Sequence, residues 1–480
     1  MVAEIKELQT EHAQIERMKR IFAAQKAAYR RQPYPTAEQR HEHIQQLKPM
    51  LLNNMDAWVE ALNADFGNRS ADETKLAEML TSVEGIKYHA KHLRKWMKPS
   101  KRKVGAAQWP GKVWVEYQPL GVVGIIVPWN YPLYLAIGPM LAALAAGNRV
   151  MIKMSESTPR TGELLEELIG KTFAEDHVAV VNGEVDVAAA FSSLPFDHLL
   201  FTGSTTVGKH IMRAAAENLT PVTLELGGKS PCIIGEDFPM KDAVERIAFG
   251  KCLNSGQTCV APDYIMVPEH RVREFVDAWK AQVTELYPTL RDNPDFTSII
   301  NERQYRRLNG YLDDAREKGA EVITINPADE NLDGSRKIPH TLVLNVTGDM
   351  KIAEDEIFGP LMLVVPYKTL DDAIDYVNDR PRPLALYYFD WNARNGEHVL
   401  HHTHSGGVCL NDTITQVGVD DMPFGGVGPS GMGHYHGPEG FLTFSKAKGV
   451  YKKGKMNATK HILPPYGRGM HKFIYKFMLK

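Results

Sequence analysis

Cysteine is scarce: the chain has four in 480 residues. That excludes a disulfide-stapled scaffold and fits a reducing compartment. An excess of one charge is also missing, with 56 Lys+Arg against 58 Asp+Glu and a formal net charge of −2. Such a balance excludes a globally basic nucleic-acid binder, so no nucleic-acid partner is expected. There is no stretch of 18 apolar residues, so no transmembrane helix is expected. The opening segment, MVAEIKELQTEHAQIERMKR, alternates in charge and has no apolar core, so no secretory leader and a cytoplasmic location are expected. Ser/Pro-rich linkers and internal repeats are lacking too.

What is present is enough chain for two or three domains, with 43% apolar and 24% charged residues, an ordinary globular composition. The charge is unevenly spread. From Lys446 to Lys480 there are nine Lys, one Arg and no acid, so the other 445 residues carry −12.

Residues 4–30, 37–63 and 71–97 read as helices, with Pro33 and Pro35 between the first two. VWVEYQ (113–118) alternates as an exposed strand does, and suggests half of a protruding hairpin. From 121 onward, short apolar runs alternate with helical stretches. The runs are GVVGIIV (121–127), RVMIK (149–153), VAVV (178–181), HLLF (198–201) and VTLEL (222–226), with an apolar helix from Pro132 to Ala146. This rhythm predicts a doubly wound, parallel α/β sheet. PCII (231–234), YIMV (264–267) and LMLVVPY (361–367) continue it as a second α/β domain, and PFGGVGPSGMGHYHG (423–437) reads as a loop.

Four kinds of residue carry candidate chemistry. Cys259 lies in NSGQTCVAPD, among small polar residues and glycine. A thiolate is a strong nucleophile once its pKa falls or a base is near; a buried structural thiol is the competing reading. Cys232 and Cys409 sit in or beside apolar strands and fit that competing reading, and Cys252 is ambiguous. Glu225 ends an apolar strand, where doubly wound sheets place ligands and where burial raises a carboxyl's pKa toward that of a general base. An ion pair with a lysine is its alternative. Asn130, in PWNYP, can donate to an oxyanion or simply cap the next helix. Of two glycine-rich segments, Gly426-x-Gly428-x-x-Gly431 matches GxGxxG but lacks a strand before it and a helix after it. Gly203-Ser204-Thr205-Thr206-Val207-Gly208 does not match, yet follows a strand and opens a helix, the setting for a pyrophosphate. The histidines at 401–404 have no accompanying carboxylate or thiol at ligand spacing and read as a solvated helix end, so no metal is assigned.

Together these segments resemble the aldehyde dehydrogenase superfamily. PWNYP, the box Lys153–Glu156, GSTTVG, LELGGK, GQTC, EIFGP and PFGGVG occur in the family's order over roughly residues 15–445. LTPVTLELGGKSP and NSGQTCVAPDY look most like its class 3 branch, which includes fatty, aromatic and coniferyl aldehyde dehydrogenases. The resemblance implies a Rossmann-like cofactor domain (1–98 and 120–226), a catalytic domain (227–410) and bridging elements (99–119 and 411–445), with VWVEYQ and the glycine-rich region as the hairpin. It implies Cys259 as nucleophile, Glu225 as general base and Asn130 as oxyanion donor. Lys153 and Glu156 would meet the adenosine ribose, Gly203, Ser204 and Gly208 the pyrophosphate, and Glu356 and Phe358 the nicotinamide ribose and ring. NAD is the implied cofactor, with NADP possible, and a homodimer the implied assembly. An aldehyde, long-chain aliphatic or aromatic, would be oxidised to its acid through a thioester. A cofactor-independent cysteine esterase would need only Cys259, Asn130 and Glu225, and a catalytically dead relative would have lost one of them.

The basic tail, 446–480, goes beyond that core. In HKFIYKFMLK, Phe473, Ile474, Phe477 and Met478 form an apolar helical stripe beside Lys472, Lys476 and Lys480. Packing on the body is one reading. The other follows from resemblance to the gate helix of fatty aldehyde dehydrogenases: a cover for the substrate tunnel that rests peripherally on an anionic membrane.

Overall fold

Apolar runs too short for helices need partners on both faces, and parallel sheets covered by helices supply them. In the computed structural model, which describes residues 2–105 and 108–479 and the side chains of all of these but 2–10 and 458, those runs form the centres of two such sheets. Strands β1 (Ser100–Arg102) and β2 (Lys112–Pro119) precede them. The first sheet contains β3 (Val122–Ile126), β4 (Arg149–Lys153), β5 (Val178–Val181), β6 (His198–Gly203) and β7 (Val222–Leu226). The second contains β8 (Ser230–Ile234), β9 (Pro262–Pro268), β10 (Glu321–Thr324), β11 (Thr341–Leu344), β12 (Leu361–Tyr367), β13 (Ala385–Phe389) and β14 (Gly407–Leu410). Then come β15 (Gly431–Met432) and β16 (Ser445–Lys452).

The first sheet runs β15-β7-β6-β3-β4-β5, parallel except for β15. Strand β3 shows why both faces are apolar. Val123 and Ile125 enter the cluster that holds helix Tyr134–Ala146, while Val122 and Ile126 enter the opposite one with Phe191 and Ile211. That helix is buried almost all round. Its last carbonyls, which no helical N–H can reach, accept from Arg40: Nη1 lies 3.1 Å from Ala145 O and 2.7 Å from Ala146 O. The second sheet runs β10-β11-β12-β9-β8-β13-β14, parallel except for β10, between two further apolar clusters.

Several expectations need refinement. The helix expected over 37–63 is two, Ala37–Leu52 and Met55–Phe66, because Asn54 turns its side-chain amide back onto Met50 O (2.8 Å). The helix expected over 71–97 runs to Trp96 but includes a π-helical turn, Thr74–Leu80. The bridging element is a three-stranded antiparallel sheet, β1-β2-β16. Strand β2 therefore pairs with residues beyond the glycine-rich stretch, which instead lends β15 to the first sheet. Lys446, Lys448 and Lys452, read as the start of a tail, belong to β16. The terminal helix, Gly469–Met478, leaves Phe473, Phe477 and Met478 exposed, with Leu479 just beyond it.

Candidate active site

The carboxyl ends of β3, β4, β6 and β7 open on one side of the first sheet, and the strand order turns at β3. Asn130 follows β3, Lys153 ends β4 with Glu156 just after it, Gly203 ends β6, and Glu225 is the fourth residue of β7. Parallel pairing alone thus gathers candidates that lie up to 95 residues apart in sequence.

Glu225 is 2% exposed, and neither carboxylate oxygen has a hydrogen-bond partner. Burial alone holds its pKa well above the usual carboxyl range. The ion pair that was its alternative reading is not formed. Lys229, from LELGGK, turns away and reaches Asp263 (3.3 Å) and the carbonyls of Ile352 and Asp355 (both 2.9 Å). Beside Glu225, Gly431 pairs from β15 at a φ of +140°, and a Cβ there would meet Leu224 O at 2.1 Å. The GxGxxG-like stretch is a close-packed turn supporting the Glu225 strand.

Cys259 is half-buried, just before β9. Burial pushes its thiol up to about 12, with the charges of Glu356 and Glu225 adding; the main-chain N–H groups of Cys259 and Val260 pull the other way. The motif around it is mostly scaffolding. Gln257 donates to Asn254 O (3.0 Å) and Ser298 O (3.1 Å) and accepts from Ile300 N (3.0 Å). Thr258 shares a 2.9 Å hydrogen bond with Tyr131 OH. Tyr387 OH donates to Val260 O at 2.6 Å. Cys232 and Cys252 are buried among apolar side chains, which pushes their thiols far up, and Cys409 is half-buried in β14.

Glu356 packs against Gly227, where a Cβ would fall 2.1 Å from Oε2, and its Oε1 is buried without a partner. Burial and the neighbouring Asp263 raise it to about 8. Phe358 has a φ of +51° and sets its ring edge-on to Trp129, centroids 5.1 Å apart. Asn130 is 3% exposed, and its carbonyl accepts from Arg69 Nη1 and Asn254 Nδ2, both at 3.1 Å.

The remaining positions end or follow β4 and β6, or end a helix of the second half. Lys153 is buried, donating to Met154 O (2.7 Å) and Gly183 O (2.6 Å); burial lowers its pKa while Glu156 and Glu184 oppose the shift. Glu156 is exposed. Ser204 caps helix Thr205–Ala216 through Val207 N (3.4 Å), and Gly208 lets that helix press on Leu226, 2.7 Å from where a Cβ would be. The histidines at 401 and 402 end helix Ala393–His402, exposed.

Sequence reading missed Arg69, Glu78, Asn254 and Tyr435. Tyr435 is 1% exposed with an unpartnered hydroxyl, and feels the charges of Glu225 and Cys259. A carboxylate inside the helical stretch 71–97, Glu78, was the one visible signal among them.

The chain has counterparts among known proteins. Residues 4–450 match the model of the aldehyde dehydrogenase family. A probable coniferyl aldehyde dehydrogenase of Pseudomonas aeruginosa is 61% identical over 480 residues, covering all of both chains. A coniferyl aldehyde dehydrogenase of Pseudomonas sp. is 49% identical, covering 93% of each. Among solved structures, Staphylococcus aureus AldH in a substrate-bound state superposes with a TM-score of 0.90 at 36% identity, covering 96% of this chain and 99% of that one. A Mycobacterium tuberculosis aldehyde dehydrogenase complexed with NAD+ gives 0.81 at 32% identity, covering 91% and 90%. With nearly the whole length matched, the chain belongs to the aldehyde dehydrogenase family.

Proposed function

We propose that the protein oxidises a coniferyl-type aromatic aldehyde to its carboxylic acid, with Cys259 as nucleophile, Glu225 as base and Asn130 as oxyanion donor, and with NAD as cofactor. The observation that carries the reading is the Glu225 carboxyl: buried, unpartnered, and within electrostatic reach of the half-buried Cys259 thiol. The substrate class rests on the coniferyl aldehyde dehydrogenases among the relatives.

The residues fit a dinucleotide. The helix start at Gly203-Ser204 offers main-chain N–H groups to a pyrophosphate. The buried, unpartnered Glu356 Oε1 suits a ribose hydroxyl. Lys153 uses two of its three N–H donors on carbonyls beside Glu156. When bound, the nicotinamide supplies the two-electron acceptor. An esterase would need none of these features.

The Cys259 thiol, which burial holds protonated at rest, gives up its proton to water as the sulfur attacks the carbonyl carbon. Charge developing on the aldehyde oxygen is met by the Asn130 amide and the Cys259 N–H, each worth about 2.7–4 kcal/mol in such sites. After oxidation Cys259 holds the acyl group as a thioester. Glu225 then removes a proton from water, water adds to the acyl carbon, and the C–S bond breaks to release the acid, the proton passing from Glu225 to the departing Cys259 sulfur. Two easier steps replace one hard one.

The exposed Glu156 carboxylate would attract a ribose hydroxyl and repel a 2′-phosphate by about 1–4 kcal/mol in partly wet protein. Rates with coniferyl aldehyde, benzaldehyde and octanal, each with NAD and NADP, test the proposal. Coniferyl aldehyde with NAD should give the highest kcat/KM, and Glu156→Gln should raise NADP use relative to NAD. No reduction of either dinucleotide with any of the three would refute the redox reading.

The same reading takes the protein to be a homodimer, supported by the long outer strand β16 at the edge of its sheet. It also takes residues 446–479 to touch anionic membrane peripherally, supported by their charge and by the exposed Phe473, Phe477 and Met478. The contacts described for the terminal helix are local, such as Tyr466 on His471 and Phe473 on Phe477, so its role as a tunnel cover is carried only by resemblance.

A further inference from the structure

A buried ion pair lies behind Asn130. The Arg69 and Glu78 side chains are both 0% exposed, with Nη1 2.9 Å from Oε1. Arg69 follows helix Met55–Phe66, and its guanidinium sits 4.8 Å from the Phe66 ring centroid and 5.0 Å from that of Tyr131. The same Nη1 donates to Asn130 O at 3.1 Å. Glu78 comes from the π-helical turn, and its Oε2 accepts from Leu133 N (2.7 Å) and Tyr134 N (3.1 Å). The pair therefore grips the segment after β3 at its middle and where it enters the next helix. The Asn130 carbonyl is also held by Asn254 Nδ2 (3.1 Å), whose own N–H donates to Glu73 Oε1 (2.9 Å). Helices from the first hundred residues, the Asn130 turn and the cysteine loop converge on one carbonyl oxygen.

Stability is a poor reason for such a pair. Removing two charges from water costs about as much as their attraction returns. Burial raises the Glu78 carboxyl despite Arg69 beside it. What the pair supplies is register. An oxyanion donor displaced by about 1 Å loses on the order of 100-fold in rate, and Asn130 stands in a turn rather than in a strand or helix.

We propose that Arg69, held by Glu78, is a positioning residue that fixes the Asn130 peptide and so aims its side-chain amide at the reacting oxygen. The inference rests on the reading of Asn130 as oxyanion donor. Arg69 acts only through Asn130, so its loss is non-additive with the loss of that amide.

The test is a cycle of Arg69→Met, Asn130→Ala and the double variant. It is read by the rate of the NADH burst with NAD and aldehyde, by 4-nitrophenyl acetate hydrolysis without dinucleotide, and by melting temperature. Arg69→Met should slow both reactions by ~10–100-fold. In the Asn130→Ala background it should cost less than about twofold more. Arg69→Met leaves Glu78 buried and unpaired, so Arg69→Met/Glu78→Gln should regain melting temperature without regaining rate, and Arg69→Lys should regain part of the rate. These last two variants decide the matter if Arg69→Met does not fold. Additive losses in the cycle, or rate returning together with melting temperature in Arg69→Met/Glu78→Gln, would overturn the proposal. Normal rates in Asn130→Ala alone would refute the oxyanion reading first, and the clamp with it.

Discussion

A nucleophile with its thiol pushed up to about 12 is a poor nucleophile until something takes its proton. The pocket that silences Cys259 also makes Glu225 basic, since burial raises both. Burial is the leading cause of both shifts, and for the thiol the charges of Glu356 and Glu225 add to it. In the protein without dinucleotide, the thiolate fraction of Cys259 should rise about tenfold per pH unit up to the thiol's pKa. Carbamidomethylation of the Cys259 peptide by iodoacetamide, followed by mass spectrometry, should climb from pH 7 to pH 10 without a plateau. A plateau near pH 8 would show an activated thiol and contradict the resting state described here. At this scale the sequence was legible where a residue type has few uses: a thiol among glycine and small polar residues, or a carboxylate ending an apolar strand. It was silent on Arg69 and Tyr435, whose parts depend on neighbours far along the chain.

The cysteine loop shows what an element must do to present one side chain. Asn254, Ser255 and Gly256 all have positive φ (52°, 51° and 71°), an unusual run that turns the chain sharply after helix Met240–Cys252. At Gly256 a Cβ would lie 2.4 Å from Gly359 O, next to Phe358. Gly256→Ala must adopt a left-handed conformation costing about 1–2 kcal/mol and push on that backbone as well. It should lower the melting temperature by several degrees and reduce kcat, read by calorimetry and steady-state rates; an unchanged melting temperature would contradict the packing. Periodicity revealed the central strands and the apolar helix because burial on both faces leaves a plain signature. It could not reveal β15 or β16. The first is two residues long and held by glycine contacts, and the second is a lysine-rich strand recruited by β2. The π-helical turn was hidden because a shift of hydrogen bonding from i−4 to i−5 calls for no particular residue type.

The whole molecule separates its chemistry from its charge. The site lies between two parallel sheets, while ten formal positive charges collect after Ser445. The terminal helix buries only His471 among its side chains, so it contributes little to the body's stability. Deleting residues 469–480 should leave the melting temperature and benzaldehyde oxidation unchanged. It should also weaken salt-sensitive binding to anionic liposomes, to which each lysine adds roughly 1 kcal/mol near the surface. A large drop in melting temperature would make the helix a structural brace, and equal liposome binding would end the membrane proposal. The two-sheet architecture was legible from the alternation of short apolar runs with helices. Of the third sheet only β2 was legible, because β16 is largely exposed and pairs with β2 across more than 300 residues.

The account stands on a covalent division of labour between Cys259 and Glu225, and that can be weighed directly. Glu225→Gln should form the acyl enzyme and fail to release it. Mixed with NAD and coniferyl aldehyde, quenched in acid within seconds and digested, it should show the acyl mass on the peptide containing Cys259, at nearly one per chain, while Cys259→Ser shows none. Absence of the adduct from Glu225→Gln, or its appearance on Cys252 or Cys409 instead, would contradict the mechanism.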